Sequence, residues 1–227
     1  MRQTSGGAEP RALTEWRERT PGVGYGQMPP AVREPLLAAL LDEQRGLCAY
    51  TGIAIDAVGS HIEHLLPQSH CHAGEDLAYA NMVACYPAPG THAKFGAVRK
   101  GNWPSQAELT DFVSPRSAGC EQRFDFAISG AVRAAANTDR AAQETIRRLA
   151  LDHAALRARR QVAIDATLQA RGGGPASLSP QQARRRLADL ETAEAGTGQL
   201  EPFCFVLKQA LRKHIARLEA IRRARTP

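Results

Sequence analysis

The sequence predicts an α+β fold that is mainly α-helical. Apolar residues recur every three to four positions over long stretches towards both ends of the chain, which is typical of amphipathic helices. Between these stretches, residues 48–103 are rich in turn-forming residues and contain a short apolar–polar alternation that indicates a hairpin. The content of 43% hydrophobic and 23% charged residues is ordinary for a folded protein.

The predicted helices follow from the spacing of apolar side chains. A helix is expected from Pro30 to Gly46, where the glycine is suited to close its C-terminus. Residues 139–170 carry a second apolar stripe, and the Gly-Gly-Gly-Pro segment at 172–175 interrupts it before a helix start at 177–180. The last helix, over about 202–224, has the clearest amphipathic pattern, with its arginines mostly on the face opposite the apolar side chains.

Three regions are expected from these patterns. Residues 1–11 are predicted to be a flexible tail, residues 12–104 a compact core with an N-terminal helix, and residues 105–227 a helical, arginine-rich extension. The net charge of +6 is uneven, because residues 1–103 carry 9 Lys/Arg against 10 Asp/Glu and residues 104–227 carry 20 against 13. Arginine suits bidentate contacts to phosphate, so the extension is a candidate nucleic-acid surface; the alternative is an ordinary solvated helical face.

Several classes of protein are not expected. No apolar run approaches the roughly 18 residues of a membrane span, and the first ten residues lack the apolar stretch of a secretory signal, so a cytoplasmic location is predicted. The five cysteines are odd in number and widely spread, which argues against a disulfide framework and favours free or metal-binding thiols.

The densest group of chemically capable residues is His61-Ile-Glu-His64, followed by Asn81. His64 can act as a general base that deprotonates water, and Glu63 offers the hard oxygen atoms that Mg²⁺ or Mn²⁺ prefers. Neighbouring side chains on a strand point to opposite faces, so the two converge only where the strand bends or ends, and Pro67 favours an ending. Asn81 can hold the following loop by hydrogen bonds to backbone groups.

The order of these motifs resembles the HNH endonucleases of the ββα-metal superfamily. It is most similar to the bacterial family that is associated with Septu and retron anti-phage defence systems, whose members pair with an ATPase. The resemblance covers roughly residues 12–220, and it is carried by Glu43-Gln-Arg-Gly-Leu-Cys-Ala-Tyr50, His61-Ile-Glu-His64 with Pro67, Asp76-Leu-Ala-Tyr-Ala-Asn-Met-Val-Ala-Cys85 and Lys100-Gly-Asn-Trp103, with weaker matches at Phe112–Pro115, Cys120–Phe124, Thr145–Asp152 and Leu156–Arg159.

The resemblance implies a small ββα-metal core in which His64 is the general base, Glu63 a divalent-metal ligand and Asn81 the loop-stabilising residue. The third metal-contacting position lies on the helix after Asn81, where His92 is the better candidate and Asn102 the weaker one. The implied catalytic cofactor is Mg²⁺ or Mn²⁺.

A structural zinc ion is also common in this family, held by two cysteine pairs. Here Cys48 and Cys85 are present, but Thr51 stands where the first pair would be completed, and no cysteine lies between Cys85 and Trp103. The two cysteines with His92, or with His70-Cys71-His72, could still assemble a zinc site. The preferred alternative is that Cys48 and Cys85 pack as small buried side chains.

The function implied is a metal-dependent endonuclease that hydrolyses phosphodiester bonds, of DNA in the first instance, as the nuclease effector of a defence system. His61, Arg99 and Lys100 are the candidate contacts to the substrate. No phosphate-binding Gly-x-x-x-x-Gly-Lys-Ser/Thr motif occurs, so a P-loop ATPase partner would have to supply ATP hydrolysis. The alternative is a degenerate HNH module that binds nucleic acid or its ATPase partner without cutting.

Overall fold

The computed structural model describes residues 1–4, 6–169 and 177–224, and it confirms an α+β fold that is mainly helical. The expected Gly-Gly-Gly-Pro break at 172–175 lies outside the described residues. Two small two-stranded antiparallel sheets accompany the helices. In chain order the elements are α1 (Arg11–Arg19), α2 (Pro30–Glu43), β1 (His61–His64), β2 (Met82–Cys85), α3 (Ala97–Lys100), β3 (Phe124–Phe126), β4 (Val132–Ala134), α4 (Arg140–Arg148), α5 (Ala154–Leu168), α6 (Pro180–Ala195) and α7 (Cys204–Ala224).

The residues of the His–Glu–His motif form β1, which pairs with β2 and is followed along the chain by the short helix α3. The register places His61 opposite Cys85 and His64 opposite Met82. Three short 3₁₀ turns occupy the connection between the strands. β1 ends at His64, three residues before Pro67, as the proline predicts. The order strand, strand, helix is therefore present in the core, with a helix of only four residues.

The outer edge of β2 is completed by the side chain of Gln44, which directly follows α2. Its Nε2 donates to the Ala84 carbonyl at 2.7 Å and to the Leu47 carbonyl at 2.8 Å, while its Oε1 accepts from the Ala84 N–H at 2.6 Å. Gln44 is almost fully buried. A buried backbone group without a partner is costly. The Gln44 amide therefore supplies hydrogen bonds that a third strand would otherwise make with Ala84.

A second buried group fixes the start of β2. The Arg116 guanidinium pairs with Glu43 at 2.7 Å and donates to the backbone carbonyls of Tyr79 and Met82. The Tyr79 hydroxyl donates to the same carboxylate at 2.9 Å. Residues of α2, the interstrand loop and the region after residue 105 are thus joined by one charged network that is largely excluded from solvent.

The region after residue 105 is mainly helical, and it also contains two short strands that were not predicted. β3 and β4 form a hairpin in which Phe124 faces Ala134 and Phe126 faces Val132. Both strands alternate buried and more exposed side chains, a period of two that is too short at three residues to stand out in the sequence. The stripe expected over 139–170 is divided into α4 and α5.

Residues 1–4 are not part of a free tail. The Arg2 N–H donates to the Ala49 carbonyl, the Arg2 guanidinium donates to the Gln44 carbonyl at 3.0 Å, and the Thr4 N–H donates to Pro115 at 2.8 Å. Arg2 and Thr4 are both buried. The composition of this segment predicted mobility, but its backbone hydrogen bonds are satisfied by the folded core.

The C-terminal region packs directly on the turn that precedes β1. The Leu200 N–H donates to the Arg45 carbonyl at 3.0 Å, and the Phe203 N–H donates to the Gly52 carbonyl at 2.9 Å. Gly52 has a φ of +75°, and a methyl group added there would lie 2.6 Å from Cε1 of Phe205 in α7. The hydrophobic core extends without interruption across the boundary expected at residue 104.

We expect Gly52→Ala to lower the free energy of unfolding by about 2–4 kcal/mol, because left-handed backbone strain adds to the clash with Phe205. Gly90→Ala is the matched control, since Gly90 has a φ of +76° and nothing within 4 Å of an added methyl group. The control has only the strain, about 1–2 kcal/mol. Urea unfolding measures both, and equal losses would show that α7 does not constrain this turn.

Candidate functional site

Asn81 holds the loop that follows β1, as its position in the sequence predicts. Its Oδ1 accepts from the Leu66 N–H at 2.8 Å, and its Nδ2 donates to the carbonyls of Leu66 at 3.1 Å and Glu75 at 3.2 Å. One side chain therefore fixes both backbone groups of Leu66, two residues after His64. The direction in which the chain leaves β1 is set by this amide.

His64 lies at the end of β1 with its ring enclosed. Its Nε2 is 2.9 Å from the Asp76 carbonyl oxygen, and the Gln68 amide nitrogen is 3.5 Å from its Nδ1. A carbonyl can only accept, so the neutral ring carries its proton on Nε2 and presents a lone pair at Nδ1. Burial lowers the pKa of His64, which favours the neutral form. The ring has the tautomer and protonation state of a general base.

Tyr25 covers the ring of His64. The two rings meet edge to face, with centroids 4.5 Å apart, and the Tyr25 N–H donates to the Asp76 carboxylate at 2.7 Å. Tyr25 was not among the predicted site residues. The signal that could have indicated it is its setting, Gly22-Val-Gly-Tyr-Gly26, a glycine-rich loop of the kind that approaches other backbone closely.

A cleft of about 520 Å³ opens beside the same loop. Its lining includes Arg17, Gln68, His72 and Asp76, together with residues 20–24. Arg17 is partly engaged, because its guanidinium pairs with Glu9 and donates to the Leu77 carbonyl. The cleft and His64 share two neighbours, because Gln68 and Asp76 both line the cleft and contact the His64 ring.

Glu63 lies on the opposite face of β1 from His64, as strand geometry requires. Its Oε1 is 2.9 Å from the Lys100 ammonium nitrogen, and its Oε2 is 3.5 Å from Nε2 of His61. Lys100 also donates to the backbone carbonyl of His64 at 2.7 Å. The Lys100 residue is 4% exposed, so it is an internal partner of Glu63 and not the substrate contact that was expected.

The other predicted residues lie apart from this group. His92 and Arg99 are exposed, and in the part of the chain that the structure describes neither side chain makes a hydrogen bond or an ion pair. Asn102 is exposed, and its carbonyl is 3.0 Å from Nε2 of His70. His61 is half-buried, with Nδ1 2.6 Å from the Pro87 carbonyl. The structure therefore brings together His61, Glu63 and Lys100 on one face of β1, with His64 on the other and Asn81 bound to the loop that follows the strand.

The residues present do not fit a divalent ion held by Glu63. Among residues 1–4, 6–169 and 177–224, no three His, Cys, Asp or Glu side chains are grouped so as to hold a metal. Both oxygens of Glu63 already face nitrogen atoms of Lys100 and His61. The helix after β2 supplies Ala97, Val98, Arg99 and Lys100, which contain no metal-ligating side chain at neutral pH.

Cys48 and Cys85 are fully buried free thiols beside Thr51, as expected for small packed side chains. Burial raises the pKa of Cys48, but hydrogen bonds from Cys85, Thr51 and the Tyr86 N–H outweigh burial and lower it to about 6. Burial raises the pKa of Cys85 well above its ordinary value. Two sulfur atoms fall short of the four ligands that a structural zinc site needs.

The arginine-rich extension uses much of its charge internally. Its basic side chains form ion pairs with nearby carboxylates, and these pairs are Arg184 with Glu219, Arg186 with Glu201, Lys208 with Glu194, Arg212 with Glu191 and Lys213 with Asp125. These pairs engage five basic side chains but leave the excess of +7 over residues 104–227 unchanged, because each pair contributes one charge of either sign.

Comparison of the chain with known proteins finds no matching family model and no matching curated sequence. In the ranges that the structure describes, no helix is both long enough and apolar enough to cross a membrane.

We expect the two histidines of β1 to titrate in opposite directions from the ordinary value of 6.5. Burial lowers the pKa of His64. Burial also lowers the pKa of His61, but hydrogen bonds to Glu63 and the Pro87 carbonyl outweigh it and raise the pKa. On lowering the pH from 8, His61 takes up its proton first. Ring resonances followed by NMR, assigned with His61→Gln and His64→Gln, measure the order, and the reverse order would contradict this account of the site.

Removing the loop-holding amide is expected to cost stability. Asn81→Ala leaves the backbone groups of Leu66, a buried residue, without their side-chain partner, so the free energy of unfolding falls by about 2–3 kcal/mol. Asn137→Ala, at an exposed position, is the control and changes it by less than about 0.5 kcal/mol. Similar values for the two variants in urea unfolding would argue that Asn81 does not hold the loop.

Proposed function

We propose that this chain is a nucleic-acid endonuclease in which His64 is the general base. The observation that carries the proposal is the hydrogen bond between His64 Nε2 and the Asp76 carbonyl, which leaves Nδ1 as a proton acceptor. Asn81 supports the same geometry, because it holds the loop that continues from β1. A base held in one tautomer by a backbone carbonyl is what deprotonation of an attacking water requires.

The surroundings of His64 indicate where the attacking water and the nucleic-acid strand would lie. The attacking water would take the place of the Gln68 amide at Nδ1, and the neighbouring cleft, which is lined by Gln68, Asp76 and Arg17, would take part of a nucleic-acid strand. Because Tyr25 covers the ring, the loop that carries it has to move when the strand enters. The proton taken from water passes to Nδ1, and the leaving oxygen of the cleaved bond takes its proton from solvent.

The finer parts of the proposal rest on the resemblance of the motifs. They are a preference for DNA, action in the cytoplasm as the nuclease of an anti-phage defence system, and a P-loop ATPase partner. The sequence has no phosphate-binding loop of its own, so in such a system the partner would supply ATP hydrolysis. A requirement for Mg²⁺ or Mn²⁺ also rests on the resemblance, and the donors around Glu63 give it no support, so no step of the reaction is routed through a metal ion.

A second function is favoured by one observation. The Glu63 carboxylate is bound by the Lys100 ammonium, so the half of the site that would carry a metal is closed. A module in this state would bind nucleic acid or its ATPase partner without cutting. The two functions differ in a single measurable property, which is cleavage that depends on His64.

The experiment compares wild type with His64→Ala on supercoiled plasmid and on single-stranded RNA, in Mg²⁺, Mn²⁺ and EDTA. Loss of a general base lowers the rate by about 10²–10⁴-fold. Asn137→Ala, at an exposed position outside the cleft, is the control and keeps the wild-type rate. Since His64 acts as the neutral ring, the cleavage rate falls as the pH drops through its lowered pKa.

Circular dichroism spectra and thermal unfolding show whether each variant is folded. A folded His64→Ala that cuts as fast as wild type would refute the role of His64. A wild type that binds plasmid but never cuts it, with the ATPase partner present or absent, would favour the binding module.

A further inference from the structure

The position of Lys100 has a further implication. Its side chain is 1% exposed, and its Nζ stands 2.9 Å from Glu63 Oε1 and 2.7 Å from the His64 carbonyl oxygen. Two oxygen atoms, one of them charged, therefore converge on a single buried nitrogen. Such a pair of oxygen donors is a setting that a small cation occupies in metalloproteins.

The remaining contacts of Glu63 complete the setting. Its second oxygen lies 3.5 Å from His61 Nε2, and the His61 ring is oriented by the Pro87 carbonyl at Nδ1. The Lys100 nitrogen therefore contacts a carboxylate and a backbone carbonyl, and the same carboxylate contacts an imidazole. A set of nitrogen and oxygen donors of this kind suits Mn²⁺.

A lysine and a divalent ion cannot share these donors. The ammonium is compact and buried, and a buried charge without its partner is strongly destabilising. A divalent ion that entered would also place two further positive charges within a few ångströms of the ammonium, where repulsion is only weakly screened.

We propose that Lys100 is the resident cation of the Glu63 carboxylate, and that the wild-type chain holds no divalent ion at this position. The inference deepens the proposed nuclease function, for which it means that His64 works without a metal ion on Glu63. It leaves Lys100 with a positioning role, since the same ammonium ties α3 to the last residue of β1.

The test is direct binding of Mn²⁺ to the full-length chain without nucleic acid, followed by electron paramagnetic resonance and calorimetry. We expect Lys100→Met, which keeps an unbranched side chain one atom shorter and removes its charge, to bind one Mn²⁺ at least tenfold more tightly than wild type. The double variant Lys100→Met/Glu63→Gln should lose that gain. Lys94→Met, an exposed lysine, is the matched control and should bind Mn²⁺ as wild type does.

Two results would overturn the inference. One is a folded Lys100→Met that binds Mn²⁺ no better than wild type. The other is a wild type that binds one Mn²⁺, with loss of that binding in Glu63→Gln. The comparison of wild type with Glu63→Gln does not need Lys100→Met, so it remains decisive if Lys100→Met fails to fold. Equal Mn²⁺ binding by wild type and Glu63→Gln supports the inference. Because the measurement needs no cleavage, a chain that never cuts nucleic acid leaves its outcome unchanged.

Discussion

The geometry of the candidate site depends on the side-chain amide of Gln44. In the residues that the structure describes, β2 pairs with β1 alone, so the N–H and carbonyl of Ala84 need partners on its other edge, where the Ala49 N–H also donates to the carbonyl at 3.3 Å. Gln44 satisfies both, and its own carbonyl receives the Arg2 guanidinium. One amide therefore joins α2, the first residues of the chain and the hairpin that carries the site. A two-stranded hairpin alone is only marginally stable, which makes this third partner necessary.

The alternation of a strand divides the Glu63–His64 pair into two separate environments. On one face the histidine is enclosed by the Tyr25 ring and the Asp76 carbonyl, and burial lowers its pKa. On the other face the carboxylate meets a buried ammonium and a second imidazole. The base and the charged half of the site therefore lie on opposite faces of β1, and Lys100 joins them, because its ammonium contacts Glu63 and donates to the His64 carbonyl. The tests of His64 and of Lys100 address these halves separately.

The sequence was sufficient for the elements with strong local signals. The helical spacing over Pro30–Glu43 and Cys204–Ala224, the strand ending before Pro67 and the amide role of Asn81 were all predicted, because each is determined by residues close in the chain. The burial of Lys100 was not, since it depends on where α3 packs against β1. The hairpin β3–β4 was missed because three residues give too short a period, and the packing of residues 1–4 because partners such as Pro115 are more than a hundred residues away.

The hydrogen bonds that lead from residues 200–203 back to Arg45 and Gly52 have a consequence for how such a core could be inherited. A genetic exchange that carried only residues 12–104 into another gene would leave out residues 200–203, which bind the turn before β1. It would also leave out Arg116, which binds the start of β2. The hairpin and its C-terminal helix are therefore expected to descend as one unit. Insertions would be tolerated at exposed loops between them, whereas transfer of the hairpin as a separate cassette would not.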